Sequence, residues 1–264
     1  MSLINLEKYP LDDPEADRYR QIVSECRREL AQIGLVNLED FLTSENTSRL
    51  VGEIEARMPE SHFAQRRDNP YGAPITDDLP DDHPYRILGP TERYGIAFHQ
   101  MRGTALEHLY RWPALRQFVA DVTGHTKLYL HDDPSNALVV QIYKTGGGLA
   151  WHFDRALFST ILNLQESEAG GEFECVPALR KPADPCFDEV REVLLGRSPR
   201  VERHHAKSGS FSIMLGRYAL HRVTTIEGLT PRMSLVLSYE DRPGVRLDVP
   251  TRRKFFGPTA PGDV

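Results

Sequence analysis

Cysteine is scarce in this chain: three residues in 264 (Cys26, Cys175 and Cys186), an odd number with no close pair. That excludes a disulfide framework and fits a reducing compartment, so a cytoplasmic location is expected. Long apolar runs are lacking too. No segment approaches the ~20 residues of a membrane span, and the N-terminus has no basic-then-apolar signal pattern, so no membrane partner is expected. Positive charge is not in excess. Thirty-two Lys and Arg face 38 Asp and Glu, giving −6 at neutral pH. A chain without a basic field is a poor ligand for polynucleotides, so a small molecule is the expected partner and nucleic acid is not. Internal repeats and low-complexity segments are missing as well. Whether the chain is a monomer or a homodimer is left open.

What is present is ordinary for a globular protein: 40% hydrophobic and 27% charged residues. Residues 14–33 read as a helix, opened by Pro14, with Tyr19, Ile22, Val23, Cys26, Leu30 and Ile33 at helical spacing and Gly34 closing it. Residues 35–38 could be a short strand, and Thr43 to Asn46 offers a cap for a second helix reaching about Met58. From Pro59 to Pro90 the chain is rich in Pro, Asp, His and Arg with little periodicity, which predicts a long loop serving as a lid or as a surface excursion. A third helix is expected over 104–123. Beyond it come apolar, β-branched runs at 137–143, 158–164, 172–176, 210–215 and 232–239, separated by glycine turns. This punctuation predicts a mainly β, α+β fold: a jelly roll with N-terminal helices packed on it. A single domain is expected over 1–264. It comprises a helical part with a loop (1–125), a jelly-roll core (126–242) with a polar insertion at 177–207 carrying a helix near 187–195, and a tail (243–264).

The chemistry concentrates in Trp151-His152-Phe153-Asp154, answered by His221 and then by Arg232 eleven residues later. On an extended segment, residues i and i+2 point the same way, so His152 and Asp154 can converge on one ion. With His221 they make two imidazoles and one carboxylate on one face, the ligand set of non-haem Fe(II) oxygenases. Arg232 offers a planar fork for a carboxylate-bearing cosubstrate. A lone His-x-Asp is weak evidence, and a lone buried His is more often a core residue than a ligand.

The order of the surrounding elements sharpens the reading. Gln141-Ile142-Tyr143 leads through a glycine turn to WHFD. Then come FSTILNL (158–164), GGEF (170–173), GSFS (209–212), LHRV (220–223) and PRMS (231–234). This ordered set resembles the Fe(II)- and 2-oxoglutarate-dependent dioxygenases, in which a GGEF-like element lies between the two metal histidines. WHFDRALFSTILNLQ followed by GGEFECVP looks most like the bacterial subgroup that acts on free amino acids, which includes radical halogenases. In those halogenases Gly or Ala replaces the carboxylate ligand, whereas here Asp154 is present. The resemblance therefore implies hydroxylation of an unactivated C–H bond, with Fe(II), 2-oxoglutarate and O2 as cofactor and cosubstrates.

It also implies that His152, Asp154 and His221 hold the metal, and that Arg232 anchors 2-oxoglutarate with help from Ser234; Tyr143 is a candidate third donor, with an ordinary core tyrosine as its alternative role. Thr160 and Asn163 are further candidates near the cosubstrate. Trp151, Arg155 and Arg222 flank the ligands as candidate substrate contacts, with packing or ion pairing as their alternative roles. The acidic stretch Asp77 to Asp82 could recognise an amine or be solvated loop. His204-His205, with no thiolate or carboxylate noted at ligand spacing, reads as solvated loop. Gly146-Gly147-Gly148 lacks the Lys-Ser/Thr continuation of a phosphate loop. Other outcomes at the same iron (desaturation, cyclisation, epimerisation) share the initial hydrogen abstraction. A non-catalytic cupin-like module or a zinc hydrolase would leave Arg232 unexplained.

Overall fold

The computed structural model describes residues 2–75, 78–258 and 260–261. Helix α1 (Asp17–Ile33) buries Tyr19, Ile22, Val23, Cys26 and Leu30 on one stripe and ends where Gly34 adopts φ 70°. Strand β1 (Leu35–Leu38) follows, then α2 (Ser44–Glu55), whose first turn is capped by Thr43 accepting from the Asn46 N–H.

The stretch expected as loop over 59–90 contains β2 (His62–Asp68), which pairs along its whole length with β3 (Gly89–Ile96). β2 was hidden because it is an edge strand with a polar sequence. The single helix expected over 104–123 is two, α3 (Ala105–Arg111) and α4 (Pro113–Thr123). Trp112 is extended between them, as a residue before proline prefers, and Pro113 opens the second helix with its missing N–H at no cost.

Next come β4 (Tyr129–Leu130), β5 (Leu138–Tyr143), β6 (Leu149–His152), β7 (Ser159–Gln165) and β8 (Phe173–Val176). The polar stretch after β8 carries α5 (Phe187–Leu194) and then β9 (Glu202–His204), a strand where only insertion was expected. β10 (Phe211–Met214), β11 (Leu220–Val223), β12 (Arg232–Leu237) and β13 (Tyr239–Glu240) complete the strands. The expected tail holds α6 (Val249–Phe256), capped by Asp248 accepting from the Thr251 N–H at 2.8 Å.

Two antiparallel sheets make the core of the fold. The larger runs β1-β10-β7-β12-β5-β3-β2 and the smaller β6-β11-β8-β9, with β4 and β13 forming a separate pair. This is a double-stranded β-helix, as expected. The large sheet draws β1, β2 and β3 from the N-terminal part, so helical part and β-core interleave instead of meeting at residue 126.

The large sheet is two-faced, because side chains alternate along each strand. Leu138, Val140, Ile142, Leu162, Leu164, Phe211, Ile213, Met233, Leu235 and Leu237 pack with α1 to α4 in one apolar core. Each fully buried leucine there contributes about 2 kcal/mol of transfer free energy. The opposite face carries Gln141, Tyr143, Asn163, Ser212, Arg232 and Ser234. It is polar and largely buried, and polar groups removed from water without apolar packing mark a working interior.

Candidate metal centre

β6 and β11 bring the motif residues together. His221 lies directly opposite His152 across the strand pair, and their rings are 4.1 Å apart at the centroids. Asp154 sits just past the end of β6. Its Oδ1 is 3.4 Å from His152 Nε2 and 3.6 Å from His221 Nε2. One ligand atom from each of the three lies within 4.8 Å of the others.

The rings are oriented for coordination. His152 Nδ1 is 2.9 Å from the Ala150 carbonyl and His221 Nδ1 is 3.0 Å from the Ala219 carbonyl. A carbonyl only accepts, so each Nδ1 carries a proton and each Nε2 is turned toward Asp154. Burial, with His152 beside it, pushes the His221 pKa down to about 4, so its ring is neutral at pH 7. The lone pair of His221 Nε2 thus faces the Asp154 carboxylate across 3.6 Å. A cation resolves that repulsion, and two imidazoles with one carboxylate on one side fit Fe(II) with open positions.

Asp154 is held from behind. The Ser159 hydroxyl donates to its Oδ2 at 2.6 Å, and its own N–H donates to the Gly216 carbonyl at 3.0 Å. A Cβ built on Gly216 would come within 2.1 Å of Asp154 Oδ2, so only glycine lets the carboxylate occupy this place. Phe153, between the two ligands, faces away and packs with Tyr71 at 5.2 Å. Tyr71 also meets Tyr85 and Phe187, which holds these two residues and α5 against the back of the metal turn.

Across the interior, Arg232 is buried at the start of β12. Its guanidinium donates to Ser234 Oγ and Asn163 Oδ1, both at 3.2 Å, and among the described residues no carboxylate pairs with it. Burial lowers its pKa, yet a guanidinium stays protonated at neutral pH. Tyr143, opposite Arg232 in register, is wholly buried and its hydroxyl donates to Gln141. Asn163, a weaker candidate from sequence, is therefore a direct partner of Arg232.

Thr160 is a correction. It points to the helix-packed face and donates to the Leu237 carbonyl, because it sits three residues from Asn163 on a strand of period two. Trp151, Arg155 and Arg222 take up the packing and ion-pairing roles given as their alternatives. Trp151 faces opposite to His152 and packs with the cluster around Val176, Leu179 and Val190. Arg222 lies over the Trp151 ring at 4.7 Å and pairs with Glu174 at 2.7 Å, on that same outer side. Arg155 is exposed and reaches Thr251 of α6. In the acidic stretch, Asp77 lies outside the described residues, whereas Asp81 pairs with Arg86 and Asp82 with Arg191. His204 is not in a loop; it sits on β9 near both Glu202 and Cys175.

One buried cation escaped the sequence reading altogether. Arg93 on β3 is 5% exposed, and its Nη1 has no hydrogen-bond partner. Gly95 leaves room for it, since a Cβ there would stand 2.8 Å from that Nη1. Arg93 shares a face with Thr91, which accepts from the Ala150 N–H two residues before His152. Burial raises the Tyr143 pKa, and the nearby charges of Arg93 and Arg232 oppose that rise, so the tyrosine lies within reach of both guanidiniums. The signal was present in TERYGI, where Thr91, Arg93 and Gly95 alternate onto one face. It went unread because no strand was expected there.

A double-stranded β-helix with a His-x-Asp turn, a distal His and a buried Arg in this order has the fold of the Fe(II)/2-oxoglutarate oxygenases. Solved structures agree at the level of fold. The epimerase SnoN from nogalamycin biosynthesis, solved with Fe3+, α-ketoglutarate and nogalamycin RO, aligns with a TM-score of 0.60 at 13% identity, over 84% of each chain. The carbocyclase SnoK from the same biosynthesis aligns at 0.59 and 14%, over 91% of this chain and 94% of that one. A Pseudomonas putida prolyl-4-hydroxylase aligns at 0.52 and 15%, over 81% and 97%. Among curated proteins none matches the sequence. The model of the halogenase D family matches residues 19–251, and the chain belongs to that family. Among the described residues, no helix is long and apolar enough to cross a membrane.

Proposed function

We propose that this chain is an Fe(II)- and 2-oxoglutarate-dependent hydroxylase of a small, carboxylate-bearing, amino-acid-like molecule. The observation that carries this reading is the pairing, inside one barrel, of a His-Asp-His cluster with a buried Arg232 that, among the described residues, no carboxylate neutralises. His152, Asp154 and His221 hold the metal, which with 2-oxoglutarate and O2 supplies the oxidising power for an unactivated C–H bond. Arg232 takes the distal carboxylate of 2-oxoglutarate with its fork, held in aim by Ser234 and Asn163. Tyr143, fixed through Gln141, walls the space between the two arginines. Arg93 is left with a free N–H in the same interior and holds the substrate carboxylate. The polar interior excludes bulk water while keeping donors aimed at anions, so positioning is the protein's part of the catalysis.

Membership of the halogenase D family supports a second outcome, halide transfer. Asp154 argues against it. A carboxylate tethered to the strand, fixed by Ser159 and fitted over Gly216, competes with a diffusing halide by effective concentration. The test is a panel of free amino acids and their decarboxylated amines, scored for substrate-dependent succinate release in chloride buffer, with mass spectrometry of the products. Hydroxylated amino acids and inactive amines are expected. A chlorinated product would refute the assignment of Asp154 as a ligand. Amines that work as well as the acids would remove Arg93 from substrate binding.

A further inference from the structure

The row of inward-facing side chains on the small sheet does not stop at the two histidines. Residues directly opposite in antiparallel strands share a face. His152 stands opposite His221, His221 opposite Cys175, and Cys175 opposite Glu202. His204, two residues beyond Glu202 on β9, returns to that same face. Cys175 Sγ, a carboxylate oxygen of Glu202 and a ring nitrogen of His204 lie within 4.8 Å of one another, the bound that the iron-site trio also meets.

Two details mark this cluster as incomplete. His204 Nε2 is buried without a hydrogen-bond partner, although Glu202 Oε2 stands 3.3 Å away. Cys175 is a free thiol, 1% exposed, and belongs to none of the apolar clusters among the described residues. Buried polar atoms are normally satisfied, and an orphaned imidazole nitrogen beside a thiol and a carboxylate is short of one partner that all three can share.

We propose that Cys175, Glu202 and His204 bind a second divalent cation, of zinc type, separate from the iron. Thiolate, imidazole and carboxylate are zinc's own ligands, and a tetrahedral ion would keep a fourth position for water. The sulfur is the discriminating donor, because soft thiolates favour zinc while the iron trio offers only nitrogen and oxygen. Coordination exchanges the thiol proton for the metal, with no change of oxidation state. Without the cation the proton stays on, since burial and Glu202 push the Cys175 pKa up to about 12. The ion also has a structural role. Residues 177–201, with α5, leave from β8 and return on β9, so a cation held by both strands clasps the two feet of that excursion. The clasp borders a cleft of about 160 Å³ lined in part by Glu172, Phe173, His204 and Arg232.

The test is a titration of the metal-stripped full chain with Co(II) alone, under nitrogen, read by absorbance. A thiolate bound to Co(II) gives a near-ultraviolet charge-transfer band that the sulfur-free iron trio cannot give. Two equivalents per chain are expected, one of them producing the band. Cys175→Ser should lose the band and one equivalent, and His221→Ala should keep the band and lose the other equivalent. Glu202→Gln and His204→Asn, which spare the buried sulfur if the serine variant fails to fold, should weaken the band-forming site at least about tenfold. A single equivalent with no band in the wild type would overturn the proposal. So would a band that survives Cys175→Ser, since it would belong to another cysteine.

Discussion

Two buried arginines share the polar interior. Arg232 and Arg93 are both buried and both lack an anionic partner among the described residues, yet they approach Tyr143 from different strands. A buried unpaired charge costs several kcal/mol, which a fold sustains where an anion arrives to offset it. If Arg232 serves the cosubstrate and Arg93 the substrate, their variants separate kinetically. Arg232→Lys keeps the charge but loses the two-pronged geometry, and charge-assisted hydrogen bonds are worth about 1.5–3 kcal/mol each. The KM for 2-oxoglutarate should therefore rise about tenfold or more while that for the substrate stays near wild type. Arg93→Ala should do the reverse. Saturation curves for both ligands in both variants check this, and a shared defect in both constants would show that the two groups form one site.

At the scale of elements, the connection from β10 to β11 does more than turn the chain. It carries Gly216, whose missing Cβ makes space for Asp154. Gly216→Ala should lower Fe(II) affinity by about 10–100-fold, in the range seen when the support of a metal ligand is disturbed. Anaerobic dialysis against Fe(II) measures it; full iron loading in the variant would show that Asp154 does not depend on this contact.

Legibility followed periodicity. α1 announced itself because five buried side chains recur on one stripe, and β5, β7, β10 and β12 because they are apolar, β-branched runs bounded by turn residues. His152 and Asp154 stood out because they are spaced at the strand period, and His221 and Arg232 because of their chemistry and their order along the chain. β2 and β9 were illegible, being polar edge strands whose partners lie far off in sequence. The misplacement of Thr160 has the same root. Asn163 and Thr160 sit on one strand three apart, so only one of them can face the site, and composition alone cannot choose between them. Trp151 and Arg222 were drawn to the site by adjacency to ligands, although adjacency on a strand means the opposite face.

For the molecule as a whole, the C-terminal helix is tied to the sheet by one buried ion pair. Arg252 on α6 donates to Asp133 Oδ2 through Nη2 at 2.9 Å and Nε at 3.1 Å, with both side chains 3% exposed or less. Asp133 also accepts from the Ser135, Asn136 and Leu247 N–H groups, so the carboxylate organises the turn before β5 and the approach to α6 together. Arg252→Met should cost about 3–5 kcal/mol, because it strands a buried carboxylate. Urea unfolding would record this as a lower midpoint with an unchanged slope. A variant as stable as the parent would mean that the backbone donors alone satisfy Asp133.

The two-faced sheet bears on how such a chain can change over time. Along β12 the even positions, Arg232 and Ser234, face the polar interior, while Met233, Leu235 and Leu237 belong to the apolar core. β5 divides the same way, with Gln141 and Tyr143 on one side and Leu138, Val140 and Ile142 on the other. Selection for a new ligand and selection for a stable barrel therefore act on interleaved but disjoint sets of letters. A lineage can rewrite one set while the other is held still, and relatives sharing little sequence can keep the same architecture.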